Sequence, residues 1–439
     1  MKFATTYKAE DFILNTRWED LPEEVQTRML GCFVDLMGAL LIGSKSEQFA
    51  VGLKLAKHLY GVGEIPVVGS TEKLTFIGAA TAMGHSSNAY DIDDGHNMTR
   101  AHPGTSFVGA VLAAAAEKNL NRNEFLEAML VAYEITIRSG AAIMDYYQFA
   151  HSSGTFGAVG VAAGVGRIYG FTKEMLNNAL SVAEFNAPLV PGIRSVEYPS
   201  MNKDGVPFGV MIGCLAVEET LCGFEGNKNL LEAEEYAHYL DDLGEKYQVM
   251  DLYFKPYTCC RWGHPAIDAC IGLKVKPEDI KQVTIETFEK ATMLSKIVPK
   301  TADEAQYNIA YPVAAALVYG DFGYAQLKNL GDPKVVDMMS RLRFKVDPVL
   351  DAQFPAKRIC RAVIETKDGR ILTSPDCEPR GEAHENIGID WLTDKFRRIT
   401  APVLTAEGQE QLLNLLTGED NVPIRQIIAA ANDALQIDK

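Results

Sequence analysis

The sequence predicts a mainly α-helical protein, in which a large all-helical domain carries a smaller, inserted α+β domain. Three observations lead to this fold class. Helical periodicity dominates the chain up to about residue 250, alternating β-branched runs follow Trp262, and helical periodicity returns from Ile389 onward. A chain of 439 residues is also two to three times as long as a typical domain of about 150 residues. We therefore expect a helical domain of residues 1–261 and 391–439, and an α+β domain of residues 262–390.

The N-terminal half is predicted to be helical from the spacing of its apolar residues. Pro22 suits the first position of a helix and Gly43 suits its end. Between them, apolar side chains recur at steps of three and four, which places them on one helix face. The same periodicity recurs in residues 107–116, 122–138 and 210–221.

Residues 154–166 are mostly glycine and alanine. Small residues let helices approach closely, so this composition predicts a helix buried at the centre of a bundle. A glycine-rich phosphate-binding loop is the alternative, but the segment lacks the GxxxxGK[ST] pattern and no predicted strand precedes it.

The segment after Trp262 has a different residue pattern. Residues 282–288 and 341–346 are rich in β-branched residues and alternate, which predicts strands. Asp368-Gly369 lies between two β-rich runs and predicts a hairpin turn. Helices are expected at 308–318 and 334–339, and again at 391–398, 407–416 and 423–435. Because both ends of the chain are predicted to be helical, we expect the C-terminal helices to pack on the N-terminal ones.

Charge and cysteine usage limit the class of protein. The chain has 42 Lys and Arg against 58 Asp and Glu, a formal net charge of −16, which argues against nucleic acid or an anionic membrane as partner. Its eight cysteines form no CxxC and no zinc-type spacing, as expected in a reducing compartment. Residues 1–17 lack the apolar core of a signal peptide, and no apolar run reaches the roughly 18 residues of a membrane helix. We expect a cytoplasmic protein.

The densest cluster of titratable residues lies in residues 84–104, which hold three of the eight histidines. Asp91, His102 and Arg100 lie in it, bounded by glycine and proline, as is typical of a catalytic loop. A helix end with capping carboxylates and solvated charges is an equal alternative. A metal site is a third possibility, with Asp91, Asp93, Asp94 and His96 as ligands, but their spacing does not fit the EF-hand loop.

A second cluster, residues 255–268, lies at the predicted domain junction, where pockets are common. It combines Lys255, Tyr257, Arg261 and His264, of which Arg261 and His264 are chosen as site residues. Cys259 or Cys260 could be a nucleophile, but no paired base is evident, so buried apolar packing is the favoured interpretation.

Further candidates come from local context. His151 immediately precedes the glycine- and alanine-rich segment, and Lys203 precedes an apolar helix. Tyr307 and Tyr311 flank a predicted helix start. Lone histidines are more often structural, most lysines lie at the surface, and tyrosines at such positions usually belong to the core.

Taken together, these segments resemble the MmgE/PrpD family along nearly the whole chain. The family includes 2-methylcitrate dehydratase, cis-aconitate decarboxylase and iminodisuccinate epimerase. The motifs that carry the resemblance, in order, are Leu21-Pro22-Glu23-Glu24-Val25, Asp35-Leu36-Met37-Gly38, Tyr90-Asp91-Ile92-Asp93-Asp94, His102-Pro103-Gly104, His151-Ser152-Ser153-Gly154-Thr155-Phe156-Gly157, Lys203-Asp204-Gly205, Lys255-Pro256-Tyr257, Cys260-Arg261, His264-Pro265-Ala266-Ile267-Asp268 and Tyr311.

The resemblance implies a large all-helical domain with a smaller α+β lid, a homodimer, and a pocket between the domains that needs no cofactor and no metal. By position it implies pocket residues at Asp91, His102, His151, Lys203, His264 and Tyr311, with Arg261 as a basic residue. Gly95 stands where the decarboxylase members have a hydroxyl side chain, which disfavours decarboxylation.

The resemblance also implies a substrate: a small anionic carboxylate. Each of the family's three reactions builds negative charge beside a carboxylate, which requires positive charge or hydrogen-bond donors nearby. Our assignment makes His102 and His151 the acid/base pair. The remaining roles are orientation by Asp91, charge stabilisation by Lys203 and Arg261 with support from His264, substrate binding by Arg100, and a lid-supplied donor at Tyr311.

We rank the reactions with dehydration of a hydroxylated di- or tricarboxylate, such as 2-methylcitrate, first. Epimerisation or racemisation of an iminodisuccinate-like compound is second, and decarboxylation of a cis-aconitate-like acid is third. A metal-dependent hydrolase or a binding module is the alternative from another class. The sequence leaves open the substrate, the reaction, the pathway, and which histidine is the acid.

Overall fold

The structure, a computed structural model, describes residues 1–435. Helices dominate this part of the chain, so the protein is mainly α-helical. The helices are α1 (Lys8–Asn15), α2 (Glu23–Gly43), α3 (Glu47–Tyr60), α4 (Phe76–Ser87), α5 (Thr105–Glu117), α6 (Arg122–Tyr147), α7 (Ser153–Ile168), α8 (Lys173–Asn186), α9 (Ile193–Glu197), α10 (Val206–Leu221), α11 (His264–Gly272), α12 (Glu289–Thr292), α13 (Ala302–Gln306), α14 (Ala310–Tyr319), α15 (Tyr324–Leu327), α16 (Pro333–Ser340), α17 (Pro348–Asp351), α18 (Ile389–Thr400), α19 (Ala406–Thr417) and α20 (Ile424–Ala434).

The strands form three small sheets. They are β1 (Val62–Pro66), β2 (Lys73–Leu74), β3 (Gly95–His96), β4 (Leu252–Tyr253), β5 (Ile280–Thr287), β6 (Leu342–Val346), β7 (Cys360–Thr366) and β8 (Ile371–Thr373). β5 to β8 form a four-stranded sheet in the order β6-β5-β7-β8, with β5 parallel to β6 and antiparallel to β7. The predicted hairpin joins β7 to β8, where Gly369 adopts a φ of 90° that other residues rarely take.

The sequence predicted a purely helical N-terminal part, but this part also contains the strands β1 to β4. β1 pairs with β2, and β3 pairs with β4. These strands were missed because a two-residue strand such as β2, β3 or β4 has no alternation to detect.

Helix α7 lies at the centre of the helical part, as its composition predicted. Its residues from Ser153 to Gly166 are all buried, and it packs against α5, α6, α8 and α10. Glycines make this packing possible, since a Cβ at Gly160 would overlap the Thr136 side chain and a Cβ at Gly213 would overlap Val161. The segment is therefore a close-packed core helix and no phosphate-binding loop.

The C-terminal helices pack back on the N-terminal ones. α18 lies against α2, where the Lys395 ammonium donates to Oδ1 of Asp35 at 2.5 Å. α20 lies against α5 and β1, and the Asn432 amide donates to the Val67 carbonyl at 3.0 Å. The four-stranded sheet lies between these chain ends in sequence. The division into two domains at residues 262 and 390 stays a prediction.

Helix α2 has 21 residues, and its most apolar window has a mean hydropathy of 1.4. By length and composition it could cross a membrane, contrary to the expectation from the sequence. However, 78% of that window is buried within the fold. Helices α4, α6, α18 and α19 contact it, so its apolar surface is already covered, as is typical of a core helix.

Candidate active site

A cavity of about 370 Å³ lies where the helical part meets the segment that carries the four-stranded sheet. Five of the eight sequence-predicted site residues line it: Asp91, Arg100, His102, His151 and Arg261. The other three, Lys203, His264 and Tyr311, do not line it. The cavity thus joins residues from distant parts of the chain, as a site requires.

Asp91 and Lys255 form a buried ion pair at the base of the cavity. The Lys255 ammonium nitrogen lies 2.6 Å from Oδ1 of Asp91. Burial alone would raise the pKa of Asp91, but Lys255, His102 and Lys203 outweigh it and lower that pKa below its usual value. Burial lowers the pKa of Lys255, but Asp91, Asp93 and Tyr253 together outweigh it, so its pKa lies above the usual value. Both side chains are therefore ionised at neutral pH.

His102 lies among carboxylates. Its Nε2 is 3.4 Å from Asp91 Oδ1 and 3.6 Å from Asp204 Oδ2, and its Nδ1 is 3.2 Å from Asp93 Oδ2. Nδ1 also donates to the Asp94 carbonyl at 2.7 Å. Burial lowers the pKa of His102, but the charge of Asp93 and then that of Asp91 raise it well above its usual value. His102 is therefore an imidazolium, which can give a proton to a substrate.

His151 has the opposite environment. It is 2% exposed, and neither ring nitrogen has a hydrogen-bond partner in the described residues. Its neighbours are aromatic, with the Phe149 ring centroid at 4.0 Å and the Tyr147 centroid at 5.2 Å. Burial lowers the pKa of His151, so it is neutral at pH 7 and can accept a proton.

Three of the predicted site residues have left-handed backbone conformations. φ is 51° for Asp91, 53° for Arg100 and 41° for Lys203. Residues other than glycine rarely adopt such angles, and they concentrate at functional sites. Local hydrogen bonds hold two of the three, since the Asp91 N–H donates to the Asn88 carbonyl at 3.1 Å and the Arg100 N–H donates to the His96 carbonyl at 2.9 Å.

Lys203 lies behind the cavity wall. Its ammonium donates to the Asn88 carbonyl at 2.9 Å and to Oε1 of Gln306, and it lies 3.9 Å from Asp303. Burial lowers its pKa. Lys203 therefore connects the Asp91 segment to α13, and its charge reaches the cavity through Asp91.

Arg261 lines the cavity, but its donors are already engaged. Both oxygens of Glu382 accept from its guanidinium, Asn97 Oδ1 accepts at 2.7 Å, and the guanidinium carbon lies 3.5 Å from the Tyr253 ring centroid. Arg100 is exposed at the cavity rim.

His264 and Tyr311 face away from the cavity. Nε2 of His264 lies 2.9 Å from the Cys259 carbonyl, and burial, followed by the Lys255 charge, holds its pKa well below the usual value. The Tyr311 hydroxyl lies 3.0 Å from the carbonyls of Gln326 and of Asn329. Its hydrogen is used within the core, so the expected lid-supplied donor is not at this position. Tyr307 lines the cavity instead.

The metal alternative named Asp91, Asp93, Asp94 and His96, and these side chains do not converge. The Asp94 carboxylate accepts from the Gly104 N–H at 3.0 Å and from the Tyr133 hydroxyl, and His96 Nδ1 accepts from the Met98 N–H. Among the described residues, the potential ligand atoms that do approach within 4.8 Å belong to Asp91, Asp93 and His102. The Lys255 ammonium already neutralises this group, and its charge disfavours a divalent cation there.

The adjacent cysteines are poor nucleophiles. Cys260 lines the cavity, but burial raises its thiol pKa to about 12. Burial also raises the pKa of Cys259 well above its usual value. The thiolate is the reactive form, so apolar packing remains the better account of both residues.

Several cavity residues were not chosen from the sequence. Lys255 and Asp204 lie in motifs that the sequence analysis quoted, next to or near chosen residues, so a motif-wide choice would have included them. Tyr307 was a candidate and was set aside for Tyr311. Arg358 lies in a segment with no distinguishing pattern, and only the fold brings it to the cavity.

Comparison with known proteins gives consistent results. The family model of the MmgE/PrpD N-terminal domain matches residues 9–242, and that of the MmgE/PrpD C-terminal domain matches residues 257–417. The chain is 22% identical to the cis-aconitate decarboxylase-like protein oryM of Aspergillus oryzae, over 97% of this chain and 96% of that protein. It is also 22% identical to a cis-aconitate decarboxylase of Aspergillus terreus, over 93% of this chain and 91% of that protein.

Proposed function

The chain belongs to the MmgE/PrpD family, and on this premise we propose that it is a lyase that acts on a small di- or tricarboxylate by acid/base chemistry without a cofactor. The preferred reaction is elimination of water from a hydroxylated substrate of the 2-methylcitrate type.

One observation carries this proposal: a protonated and a neutral histidine line the same cavity. The pKa of His102 is raised by its carboxylate neighbours and that of His151 is lowered by burial. Elimination of water needs a base for the α proton and an acid for the leaving hydroxide. Decarboxylation needs only an acid for the carbanion, so the pair supports dehydration or epimerisation better.

The charge of the cavity supports an anionic substrate. Its lining includes five Lys and Arg residues against two carboxylates, in a chain of net charge −16. Such a local excess of positive charge attracts polyanions and stabilises the negative charge that develops beside a substrate carboxylate.

In the proposed mechanism, His151 removes the proton α to a carboxylate. The C–H electron pair forms the new C=C bond, the C–O bond to the hydroxyl breaks, and His102 protonates the departing hydroxide to water. Lys255 stabilises the negative charge, with Lys203 acting through Asp91, whereas the donors of Arg261 are held by Glu382 and Asn97. Asp91 orients His102, and Tyr307 replaces Tyr311 as the candidate hydroxyl donor from the lid segment. Closure over the cavity would exclude water and strengthen these interactions.

Decarboxylation of a cis-aconitate-like acid is the second candidate, because the curated relatives carry that activity in their names. Their identity of 22% is too low to transfer a substrate. Gly95 argues against it, since a Cβ at this position would overlap the Tyr253 ring. A hydroxyl side chain would fit there only if the Tyr253 ring moved, and the resemblance places a hydroxyl side chain at this position in the decarboxylase members.

We further propose that the protein is a homodimer. Large exposed apolar side chains concentrate between residues 185 and 224, including Phe185 at 72% and Tyr198 at 75% exposure. This stretch also contributes Ile193 and Val196 to the cavity. A second copy covering α8 to α10 would remove that surface from water and enclose one side of the site. Light scattering that gives a monomer mass would contradict this proposal.

The reaction is tested by proton NMR in D₂O with citrate, 2-methylcitrate and cis-aconitate. Dehydration gives olefinic product signals, epimerisation gives exchange without water loss, and decarboxylation gives a product one carbon shorter. We expect olefin from a hydroxylated acid with the wild type, and none with His102→Gln. The control His238→Gln changes an exposed histidine and is expected to behave as wild type. Turnover of cis-aconitate with loss of carbon dioxide would establish the second candidate instead.

A further inference from the structure

Two guanidinium groups converge on one side chain at the cavity wall. Asn97 Oδ1 accepts from Arg261 Nη1 at 2.7 Å and lies 3.3 Å from Arg358 Nη1. Glu382 is the carboxylate at this position, and both its oxygens accept from Arg261. The two arginines therefore have one neighbouring carboxylate, and both oxygens of that carboxylate are already hydrogen-bonded to Arg261.

Of these two arginines, Arg358 is the one without a carboxylate partner. In the described part of the chain no carboxylate oxygen lies within 4.0 Å of it. Its Nη1 has the Asn97 and Pro355 oxygens, both at 3.3 Å, whereas Nη2 and Nε have no acceptor among the described residues. These two nitrogens form the edge of the guanidinium that binds a carboxylate in bidentate fashion.

The position of Arg358 is costly unless an anion binds there. The residue is only 8% exposed, yet it lines the cavity. A charge that is buried without a partner destabilises a fold, and a bound anion would remove that cost. Burial, followed by the repulsion of Arg261, lowers its pKa to about 10, which still leaves it protonated at neutral pH. Its charged neighbours are Arg261, Glu382 and Arg100. None of these three belongs to the cluster of Asp91, Asp93 and His102.

We propose that Arg358 binds one carboxylate of the substrate, separate from the carboxylate beside the reacting carbon, and so selects substrates with a second or third carboxylate. This inference rests on the proposed function. It replaces Arg261 as the principal carboxylate-binding arginine, because Arg261 has already satisfied its donors with Glu382 and Asn97. Arg261 then acts by holding Glu382 away from Arg358.

The test uses tricarballylate, which has three carboxylates and no hydroxyl to eliminate. Its two relatives with one carboxylate fewer are glutarate and methylsuccinate. Calorimetry should show that Arg358→Met binds tricarballylate about 10- to 100-fold more weakly than wild type, the scale of a lost charge-assisted pair of hydrogen bonds. At least one of the two dicarboxylates should bind both proteins alike, because it lacks the group that Arg358 holds.

Two further variants complete the experiment. Arg343→Met changes an exposed arginine of β6 that donates only to backbone carbonyls, and it is expected to bind as wild type. Arg358→Lys keeps the charge without the bidentate edge and should lose about tenfold, so it serves as the test if the methionine variant does not fold.

The outcomes separate the two proposals. If wild type does not bind tricarballylate, the proposed substrate class fails and this inference fails with it. If wild type binds it and folded Arg358 variants bind it equally well, the inference is wrong while the proposed function stands.

Discussion

The Lys255 ammonium lies 2.6 Å from the Asp91 carboxylate, and each side chain is at most 3% exposed. The two residues meet because β3 pairs with β4, which places Gly95 opposite Tyr253. This ion pair keeps a carboxylate ionised at 3.4 Å from His102, and that carboxylate helps to hold the histidine protonated.

Removing one partner of this pair should destabilise the protein. Lys255→Met leaves the Asp91 carboxylate buried without its nearest cation, and such changes cost about 3–5 kcal/mol. Chemical denaturation measures the loss. Lys281→Met removes an exposed pair with Glu365 and should leave stability unchanged within error. Equal losses from the two variants would contradict the importance of the buried pair.

The pH dependence of the Asp91 contribution follows from its lowered pKa. A carboxyl group whose pKa is lower in the folded state stabilises the fold above its unfolded pKa, near 3.8. That stability is lost as the pH falls through the folded value. The stability difference between wild type and Asp91→Asn should therefore be constant at neutral pH and shrink in acid.

His102 and His151 should titrate on opposite sides of pH 6.5. The pKa of His102 is raised and that of His151 is lowered from this value. The value of kcat/KM should fall as the pH rises through the His102 pKa, and it should also fall in acid once His151 is protonated.

The contribution of His102 to folding stability has the same direction: it is present below pH 6.5 and disappears as the pH rises through the folded pKa. NMR titration of wild type and His102→Gln assigns the resonance, and an inflection at or below 6.5 would contradict the assignment of His102 as acid.

Tyr307 and Tyr311 should have different roles. Tyr307→Phe removes a hydroxyl group from a residue that lines the cavity, and should lower kcat/KM with little change in stability. Tyr311→Phe removes a hydroxyl group that is hydrogen-bonded in the core, and should cost about 0.5–1.5 kcal/mol of stability with turnover unchanged. Each variant is the control for the other, and the reverse pattern would restore Tyr311 as the site residue.

Lys395, which lies in the C-terminal helix α18, should hold the Asp91 segment in place. Its ammonium contacts Asp35 at 2.5 Å and the Ile92 carbonyl at 2.6 Å, next to Asp91. Lys395→Met leaves Asp35 buried and unpaired, with an expected loss of about 3–5 kcal/mol. Arg397→Met on the same helix breaks an exposed pair with Glu410 and should have little effect. If the Lys395 variant is as stable as the Arg397 variant, the buried pair has no such role.

Activity should survive exhaustive chelation. The approach of Asp91, Asp93 and His102 resembles a ligand set, but the Lys255 ammonium occupies one side of it. Treatment with EDTA followed by dialysis is expected to leave turnover of the identified substrate unchanged. Loss of turnover that a single divalent ion restores would require a metal-dependent mechanism.

Local patterns predicted ten of the twenty helices in residues 1–435. The helix expected to start at Pro22 and to end at Gly43 spans Glu23–Gly43, and the buried glycine- and alanine-rich helix is α7. These predictions succeed because helical periodicity is set by residues three and four apart, which are neighbours in sequence. Local patterns do not predict short strands such as β3, because the strands with which they pair lie far away in the chain.

By itself, the sequence determined the family, ten of the helices and strands β5 to β8, and it marked the segment 84–104 as a candidate site. All three depend on local order of residues. Only the tertiary structure decided which side chains meet. It placed Lys255 on Asp91, left Arg358 without a counterion, and pointed Tyr307, four residues before Tyr311, at the cavity. The physical reason is that burial and charge pairing depend on contacts between distant segments, and these contacts set the pKa of each histidine.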